Sequence, residues 1–216
     1  MLEREREQVA EAARRLAALG LTLGTAGNVS MRAGERLLVT PTGAVLERVR
    51  ADEISILELD GTPLHGPPPT SELALHVGAH REFAPGAVVH AHAPVATALA
   101  CVLDELPAVH YQMVELGGPV RVARYETFGT QELASVTIDA MRGRKAALMA
   151  NHGTLTIGDD LDQAVGRAVL LEWAATVYWR AAAIGAPRTL DEAQLDAVRA
   201  QIDRRGYGSL LAGGAR

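Results

Sequence analysis

The chain has 216 residues, 48% of them hydrophobic, and a formal net charge of −5 at pH 7. This length and apolar content predict a single α/β-sized domain over residues 1–216, and the acidic balance argues against nucleic acid or an anionic membrane as a partner. No apolar run approaches the roughly 20 residues that span a bilayer, and no basic leader precedes the first helix, so we expect a cytoplasmic protein.

Strands and helices are mixed along the whole chain. In chain order, the predicted elements are a helix over 3–19, strands within 28–40 and 54–61, a helix over about 72–83, a strand over 87–93, a helix over about 94–103, a strand over 119–125, a helix over 130–142, strands over 146–153 and 154–158, and helices over 161–184 and 191–202. Thr70 or Ser71 is expected to cap the second helix, and Pro94 falls in the favoured first turn of the third. This mixture predicts an α/β sandwich.

Lysine and cysteine each occur once. Lys145 lies in the charged turn RGRK just before a predicted strand, where we expect it to face solvent, so imine chemistry on a lysine is improbable. Cys101 lies in the apolar stretch ATALACVL and is expected to be a buried structural thiol.

The segment VVHAHAP carries a histidine pair at the end of a predicted strand. Residues two apart on a strand point to the same face, about 6.5 to 7 Å apart, so His90 and His92 can reach one ion. His152 ends another apolar strand, and Glu72 begins the helix that leads to the first histidine strand. A zinc-like site needs three or four such ligands from separate segments, and this set can supply them.

A second histidine pair, His76 and His80, has the i, i+4 spacing of a helical zinc motif. The position that a metalloprotease fills with glutamate is Val77 here. We therefore expect these two histidines to lie on a half-exposed helix face.

Three polar turns could bind an anion. The stretches TAGNVS (25–30) and TPTGAVL (40–46) place glycine among small polar residues, whose backbone N–H groups can converge on an anion. The stretch PTSE adds two hydroxyls at a predicted helix N-terminus. None of the three stretches contains a lysine or arginine, so a phosphate here would be held by neutral donors.

The chain resembles the class II aldolase/adducin family, and within it the group of L-fuculose-1-phosphate aldolases. The matching pieces are GTAGNVSMR, VTPTG, TSELALH, AVVHAHAPVATALAC, PAVHY, YETFGTQELA, RKAALMANHG and the terminal GYG, in the family's order and spacing over roughly residues 5–207. The resemblance implies a three-layer α/β sandwich with a central, mostly antiparallel sheet, and a homotetramer with active sites at subunit interfaces.

The resemblance also implies roles for particular residues. One Zn²⁺ or other divalent ion per chain would be held by Glu72, His90, His92 and His152. The phosphate of a sugar-phosphate substrate would be bound by Gly27, Asn28, Thr42, Gly43, Thr70 and Ser71. Glu72 would also transfer protons, Tyr111 would donate a proton from a neighbouring subunit, and Tyr207 would close over the site.

The implied reaction is reversible cleavage of a ketose 1-phosphate, such as L-fuculose 1-phosphate, to dihydroxyacetone phosphate and a small aldehyde. A divalent ion would take the role that a lysine imine takes in other aldolases. Ribulose-phosphate 4-epimerases, methylthioribulose-1-phosphate dehydratases and sugar-acid phosphate decarboxylases share the scaffold and remain alternatives, although the epimerases usually carry aspartate where Glu72 stands. A non-catalytic, adducin-like interaction protein would need a degraded metal site, and a metal-dependent hydrolase lacks a second carboxylate cluster.

Overall fold

The computed structural model describes residues 2–206. Its helices are α1 (Glu3–Ala18), α2 (Leu73–Phe83), α3 (Pro94–Ala100), α4 (Gln131–Met141), α5 (Leu161–Ile184) and α6 (Glu192–Arg205). Its strands are β1 (Asn28–Ala33), β2 (Arg36–Val39), β3 (Ser55–Glu58), β4 (Pro63–His65), β5 (Ala87–Ala91), β6 (Glu105–Leu106), β7 (Val120–Ala123), β8 (Ala146–Met149) and β9 (Gly153–Gly158).

The strands form one sheet in the order β4-β3-β2-β1-β5-β9-β8-β7-β6. Every neighbouring pair is antiparallel except β7 and β8. β5 is fully buried and lies between β1 and β9. This is the buried strand that ends in the histidine pair, so the centre of the sheet sets the position of those two side chains.

Helices cover the sheet on both faces. α1, α3 and α5 contribute buried residues to one apolar core, which includes Leu16, Leu99 and Leu171. α2 and α4 pack against each other and contribute to a second core on the opposite face, which includes Leu75 and Leu133. The predicted class, a three-layer α/β sandwich with a mostly antiparallel sheet, is confirmed.

Helix ends differ from the predictions at α2, at α3 and at α6, which runs to Arg205, three residues past its predicted end at 202. α2 begins at Leu73 with Glu72 at the N-cap position, and neither predicted capping residue caps it. Thr70 instead accepts a hydrogen bond from the backbone N–H of Glu72 (3.2 Å), while Ser71 is exposed. α3 ends at Ala100, about three residues before the predicted end. Across residues 2–206, no helix combines the length and apolar character that crossing a bilayer needs.

The prediction for Cys101 is wrong, and that for Lys145 is confirmed. The thiol of Cys101 is exposed. The buried face of α3 is formed by Ala96, Leu99 and Ala100, and the next residue, at the end of the helix, turns away from that face. Lys145 is exposed in the turn before β8.

Candidate metal centre and substrate cleft

Three histidines converge at one end of the central strands. His90 belongs to β5, His92 follows that strand, and His152 lies in the turn between β8 and β9. One ring nitrogen from each lies within 4.8 Å of the others. The ring centroids are 4.8 to 5.2 Å apart. The structure therefore brings the strand pair and the distant third histidine to one point.

Close contact between β5 and β9 makes this convergence possible. Ala91 pairs with Thr154, next to Gly153. A Cβ atom on Gly153 would lie 2.5 Å from the carbonyl oxygen of Ala91 and 3.3 Å from the ring of His92. Only glycine fits there, which explains why His152 is followed by glycine. Asn151 adopts a left-handed conformation with φ of 54° to close the turn, a conformation that asparagine tolerates better than most residues.

Hydrogen bonding fixes the tautomer of His90. Its Nδ1 lies 2.9 Å from the carbonyl oxygen of Thr154, which can only accept, so Nδ1 carries the proton. In the neutral ring, Nε2 then carries no proton and has a free lone pair. That atom lies 2.9 Å from Nε2 of His92 and 3.0 Å from Oε2 of Glu72. An imidazole whose far nitrogen is bound to a carbonyl is the arrangement typical of a metal-ligating histidine.

Glu72 is buried beside this cluster. Its Oε2 accepts a hydrogen bond from Nδ2 of Asn28 (3.0 Å), and its Oε1 lies 3.2 Å from Nε2 of His152. Oε1 is buried and lacks a well-aligned hydrogen bond. Burial alone would raise the pKa of the Glu72 carboxyl, but the charge of His90 and the contacts with His152, His90 and Asn28 outweigh it and hold that pKa below its ordinary value.

The donor set fits a divalent ion. Burial, followed by the charges of His90 and His152, lowers the pKa of His92 to about 4, so its imidazole is neutral at pH 7. Imidazole nitrogens and an ionised carboxylate whose buried Oε1 has no aligned donor are ligands of the kind that zinc takes from proteins. The residues present therefore fit the metal that the sequence predicts.

A cleft of about 550 Å³ opens beside the cluster. Glu72, His92 and His152 line it. All six residues predicted to bind phosphate line it too, namely Gly27, Asn28, Thr42, Gly43, Thr70 and Ser71. No lysine or arginine is among the described lining residues. A phosphate bound in this cleft would be held by neutral donors and backbone N–H groups.

Backbone contacts join the segments that form the cleft. The N–H of Thr42 bonds to the carbonyl of Pro68, and the N–H of Thr70 bonds to the carbonyl of Thr40. Gly27 has a φ of 87°, and a Cβ atom there would lie 2.6 Å from the side chain of Thr22. A glycine is needed at this point because the turn needs a positive φ and no side chain fits.

Sequence reasoning missed three residues that line the cleft. Tyr125, Glu126 and Phe128 follow β7, and both aromatic side chains are largely exposed. The carboxylate of Glu126 lies 2.8 Å from the guanidinium of Arg124. The only signal in the sequence is a pair of aromatic residues in a turn after a strand, which is too common to assign alone.

Two predicted site residues are not brought to this cleft. Tyr111 begins a short 3-10 helix, is 47% exposed, and does not line the cleft. Its ring lies 4.5 Å from that of His110, which in turn lies 4.6 Å from that of Trp173. Tyr207 lies outside the residues that the structure describes. The roles of both stay predictions.

The prediction for His76 and His80 is wrong, because both are buried at 0% and 6% exposure. The helix face that carries them packs on the sheet rather than facing solvent. Polar residues on β1 satisfy the two rings there: Ser30 contacts both, and Asn28 contacts His76. Sequence spacing alone could not reveal these partners, since they come from another segment.

Comparison with known proteins gives matches over most of the chain. The sequence profile of the class II aldolase and adducin N-terminal domain matches residues 7–179. A 5-methylthioribulose-1-phosphate/5-deoxyribulose-1-phosphate aldolase from Rhodospirillum rubrum is 41% identical, covering 89% of this chain and 88% of that protein. A 5-deoxy-D-ribulose 1-phosphate aldolase from Bacillus thuringiensis is 35% identical, covering 96% of this chain and 99% of that protein.

A solved structure gives the same result at the level of the fold. An L-fuculose 1-phosphate aldolase superposes with a TM-score of 0.88 at 32% identity, covering 92% of this chain and 95% of that one. The similarity therefore extends over most of the fold.

Proposed function

The chain belongs to the class II aldolase and adducin N-terminal domain family, and on that premise we propose that it is a metal-dependent lyase which reversibly cleaves a ketose 1-phosphate. The products would be dihydroxyacetone phosphate and a short aldehyde. The observation that carries this proposal is the contact of one buried carboxylate with two of three converging histidines, His90 and His152, at the edge of a polar cleft without lysine or arginine among its described lining residues.

The proposed metal ligands are Glu72, His90, His92 and His152, with one zinc or similar divalent ion per chain. A divalent ion bound there supplies Lewis-acid stabilisation of the negative charge that develops on the substrate's oxygens. Neutral imidazoles suit this role because they leave the positive charge of the ion uncompensated. The single lysine is exposed and precedes β8, whereas His152 follows that strand, so the two lie at opposite ends of β8 and no imine route is evident.

Neutral groups would bind the phosphate of the substrate. Gly27 and Gly43 offer backbone N–H groups, and Asn28, Thr42, Thr70 and Ser71 offer side-chain donors. Anchoring the phosphate would fix the three-carbon half of the substrate beside the histidines, so the bond to be cleaved would lie near Glu72. Orientation of this kind contributes to catalysis by removing the entropy cost of alignment.

Two residues are proposed to move protons. The Glu72 carboxylate is ionised at neutral pH and lies at the cleft wall, where it can act as a general base and then return the proton. Tyr111 of the partner subunit would exchange a proton with the oxygen of the aldehyde. This second assignment requires a homotetramer with sites at its interfaces, and the exposure of Tyr111 within one chain is consistent with such a role.

The part of the substrate that is released as the aldehyde is proposed to be short, and apolar at the end away from the cleaved bond. Tyr125 and Phe128 present exposed aromatic rings to the cleft. The two relatives from Rhodospirillum rubrum and Bacillus thuringiensis are named for 5-deoxy or 5-methylthio pentulose phosphates. We therefore favour a ketose 1-phosphate that lacks a hydroxyl at carbon 5, with L-fuculose 1-phosphate as the alternative substrate.

One assay tests the reaction and the substrate together. Zinc-loaded protein is incubated with 5-deoxyribulose 1-phosphate, with L-fuculose 1-phosphate and with ribulose 5-phosphate, and dihydroxyacetone phosphate is measured in each case. The proposal predicts release from both ketose 1-phosphates, with higher kcat/KM for the 5-deoxy sugar. Epimerisation of ribulose 5-phosphate without cleavage of either ketose 1-phosphate would overturn it.

A further inference from the structure

A chain of buried polar side chains runs from Glu72 away from the cleft. Nδ2 of Asn28 lies 3.0 Å from Oε2 of Glu72, and Oδ1 of Asn28 lies 2.5 Å from Nε2 of His76. Nδ1 of His76 lies 2.7 Å from the hydroxyl of Ser30, which lies 2.9 Å from Nε2 of His80. The five side chains form an unbroken series of four contacts.

Strand β1 and helix α2 position the four side chains that follow Glu72 in this series. Asn28 and Ser30 are two apart on β1 and share a face of the sheet, while His76 and His80 are one helical turn apart on α2. All four are buried. Burying a polar group without a partner destabilises the fold, so the contacts within this series of side chains matter for stability as well as for geometry.

The hydrogen bonds can run in only one direction when Glu72 is ionised. A carboxylate only accepts, so the amide of Asn28 must turn its NH₂ group to Glu72 and its oxygen to His76. His76 must then donate from Nε2, and its Nδ1 accepts from the hydroxyl of Ser30.

The far end of the chain is consistent with this direction. Ser30 has already donated its proton to His76, so it accepts from Nε2 of His80. The other nitrogen of His80, Nδ1, has no well-aligned hydrogen bond, and a backbone contact at Pro85 partly offsets the effect of burial on the pKa of this ring. Burial, followed by the charges of His80 and His90, lowers the pKa of His76 to about 3, which keeps this ring neutral and able to accept at Nδ1.

The opposite tautomer of His76 would disturb the carboxylate. If Nδ1 carried the proton, Nε2 would accept, and the Asn28 amide would have to rotate so that its oxygen faced Glu72. Two acceptors would then meet at about hydrogen-bond distance in a buried place, which is unfavourable. The orientation of one amide therefore couples the tautomer of His76 to the contact on Glu72.

We propose that His76 and Ser30 are positioning residues, which fix the orientation of the Asn28 amide and thereby hold the Glu72 carboxylate against the three histidines. Because one N–H of Asn28 bonds to Glu72 and Asn28 lines the cleft, the same orientation leaves its second N–H for a bound anion. This inference rests on the proposed function, since it takes Glu72 as a metal ligand and proton carrier.

Paired variants separate positioning from simple packing. His76→Gln keeps an amide N–H toward Asn28, whereas His76→Leu removes both hydrogen bonds. Ser30→Ala removes one buried hydroxyl. Thr156→Val is the control for Ser30→Ala. Thr156 is also fully buried on the sheet and donates one hydrogen bond, to the carbonyl of Ala164. It has no contact with Glu72 in the structure.

The readouts are zinc affinity by competition with a chelator, and kcat and KM for cleavage. His76→Leu and Ser30→Ala should weaken zinc binding and lower kcat by about 10-fold or more, the usual effect of losing a group that orients a metal ligand. His76→Gln should recover most of both. Thr156→Val should lose thermal stability like Ser30→Ala but keep zinc affinity and kcat within about 2-fold.

A measurement of the tautomer keeps the inference independent of activity. Zinc-loaded protein labelled with ¹⁵N-histidine should give the long-range correlations of an Nε2–H tautomer for His76. An Nδ1–H tautomer at His76 would overturn the proposal. So would equal losses of zinc affinity in Ser30→Ala and Thr156→Val. If the wild-type protein bound zinc and showed this tautomer but cleaved no ketose phosphate, the proposed function would fail while the positioning role would stand.

Discussion

The Nε2 atoms of His90 and His92 face each other at 2.9 Å, beside a carboxylate and a third imidazole. The Nδ1 of His90 is bound to the carbonyl oxygen of Thr154, so its Nε2 is the atom turned toward His92 and Glu72. A divalent ion would accept a lone pair from each of these nitrogens, with the carboxylate as a further ligand.

Removal of one imidazole should therefore release the metal. We expect the wild-type protein to retain about one divalent ion per chain after zinc loading and dialysis, and His92→Ala to retain far less, because two imidazoles and one carboxylate rarely hold zinc well. Elemental analysis measures this. His65→Ala, which removes an exposed histidine on β4, should keep the ion. A wild-type protein without metal after this treatment would remove the metal centre from the account.

The carboxylate of Glu72 should matter more for turnover than for folding. Glu72→Gln keeps the shape of the side chain and one oxygen for the N–H of Asn28, so the variant should fold and keep much of its metal. Loss of proton transfer should lower kcat by about 100-fold or more. Glu126→Gln changes a carboxylate of the same cleft that contacts Arg124 rather than the histidines, and it should change kcat far less. A near-normal rate in Glu72→Gln would show that this residue transfers no proton.

The proposed role of Tyr111 predicts complementation between subunits. Tyr111→Phe and His92→Ala should each be inactive alone. When the two are unfolded together and refolded as a mixture, some subunit pairs would combine an intact histidine cluster with an intact Tyr111. Activity should then reappear in the mixture. Mixtures that stay as inactive as either parent would show that Tyr111 does not act across a subunit boundary.

Buried neutral histidines predict a loss of stability in acid. Burial lowers the pKa of His76 to about 3 and that of His80 to about 4, whereas a histidine in an unfolded chain has a pKa near 6.5. Between pH 6.5 and 4 the unfolded chain binds protons that the folded chain does not. The stabilising contribution of these rings is therefore complete above pH 6.5 and is lost as the pH falls.

Urea unfolding of the chelator-treated protein at several pH values tests this. The free energy of unfolding should decrease below pH 6.5, and His80→Gln should flatten that decrease by up to about 1.4 kcal/mol per pH unit, the effect of one proton. Comparing the two proteins cancels the contributions of the other histidines. Parallel curves for both proteins would mean that His80 is not kept neutral by the fold.

The parts of the structure that follow from local pattern could be predicted from the sequence. Alternation along a buried strand predicted that His90 and His92 share a face, and apolar spacing predicted the main helices. The polar turns around Gly27 and Gly43 indicated backbone donors for an anion. Each of these conclusions depends on residues close together in sequence, where the geometry of a strand, helix or turn is enough.

The parts that failed depend on partners from distant segments. The i, i+4 spacing of His76 and His80 was interpreted as a half-exposed helix face. Asn28 and Ser30 on β1 provide hydrogen bonds to the two rings, and these partners allow the rings to be buried. Cys101 lies in an apolar stretch, but the position where α3 ends turns it to solvent. The aromatic side of the cleft, at Tyr125 and Phe128, depends on where the turn after β7 lies relative to the histidine cluster.

The most direct test of the central claim is proton exchange on dihydroxyacetone phosphate alone. In deuterated water, the zinc-loaded protein should exchange one hydrogen of the hydroxymethyl carbon stereospecifically, because the same carbanionic charge forms there as in cleavage. A chelator should abolish the exchange, and Glu72→Gln should slow it strongly. The account would be contradicted if the zinc-loaded protein left dihydroxyacetone phosphate unlabelled while it epimerised ribulose 5-phosphate or dehydrated a methylthio-sugar phosphate.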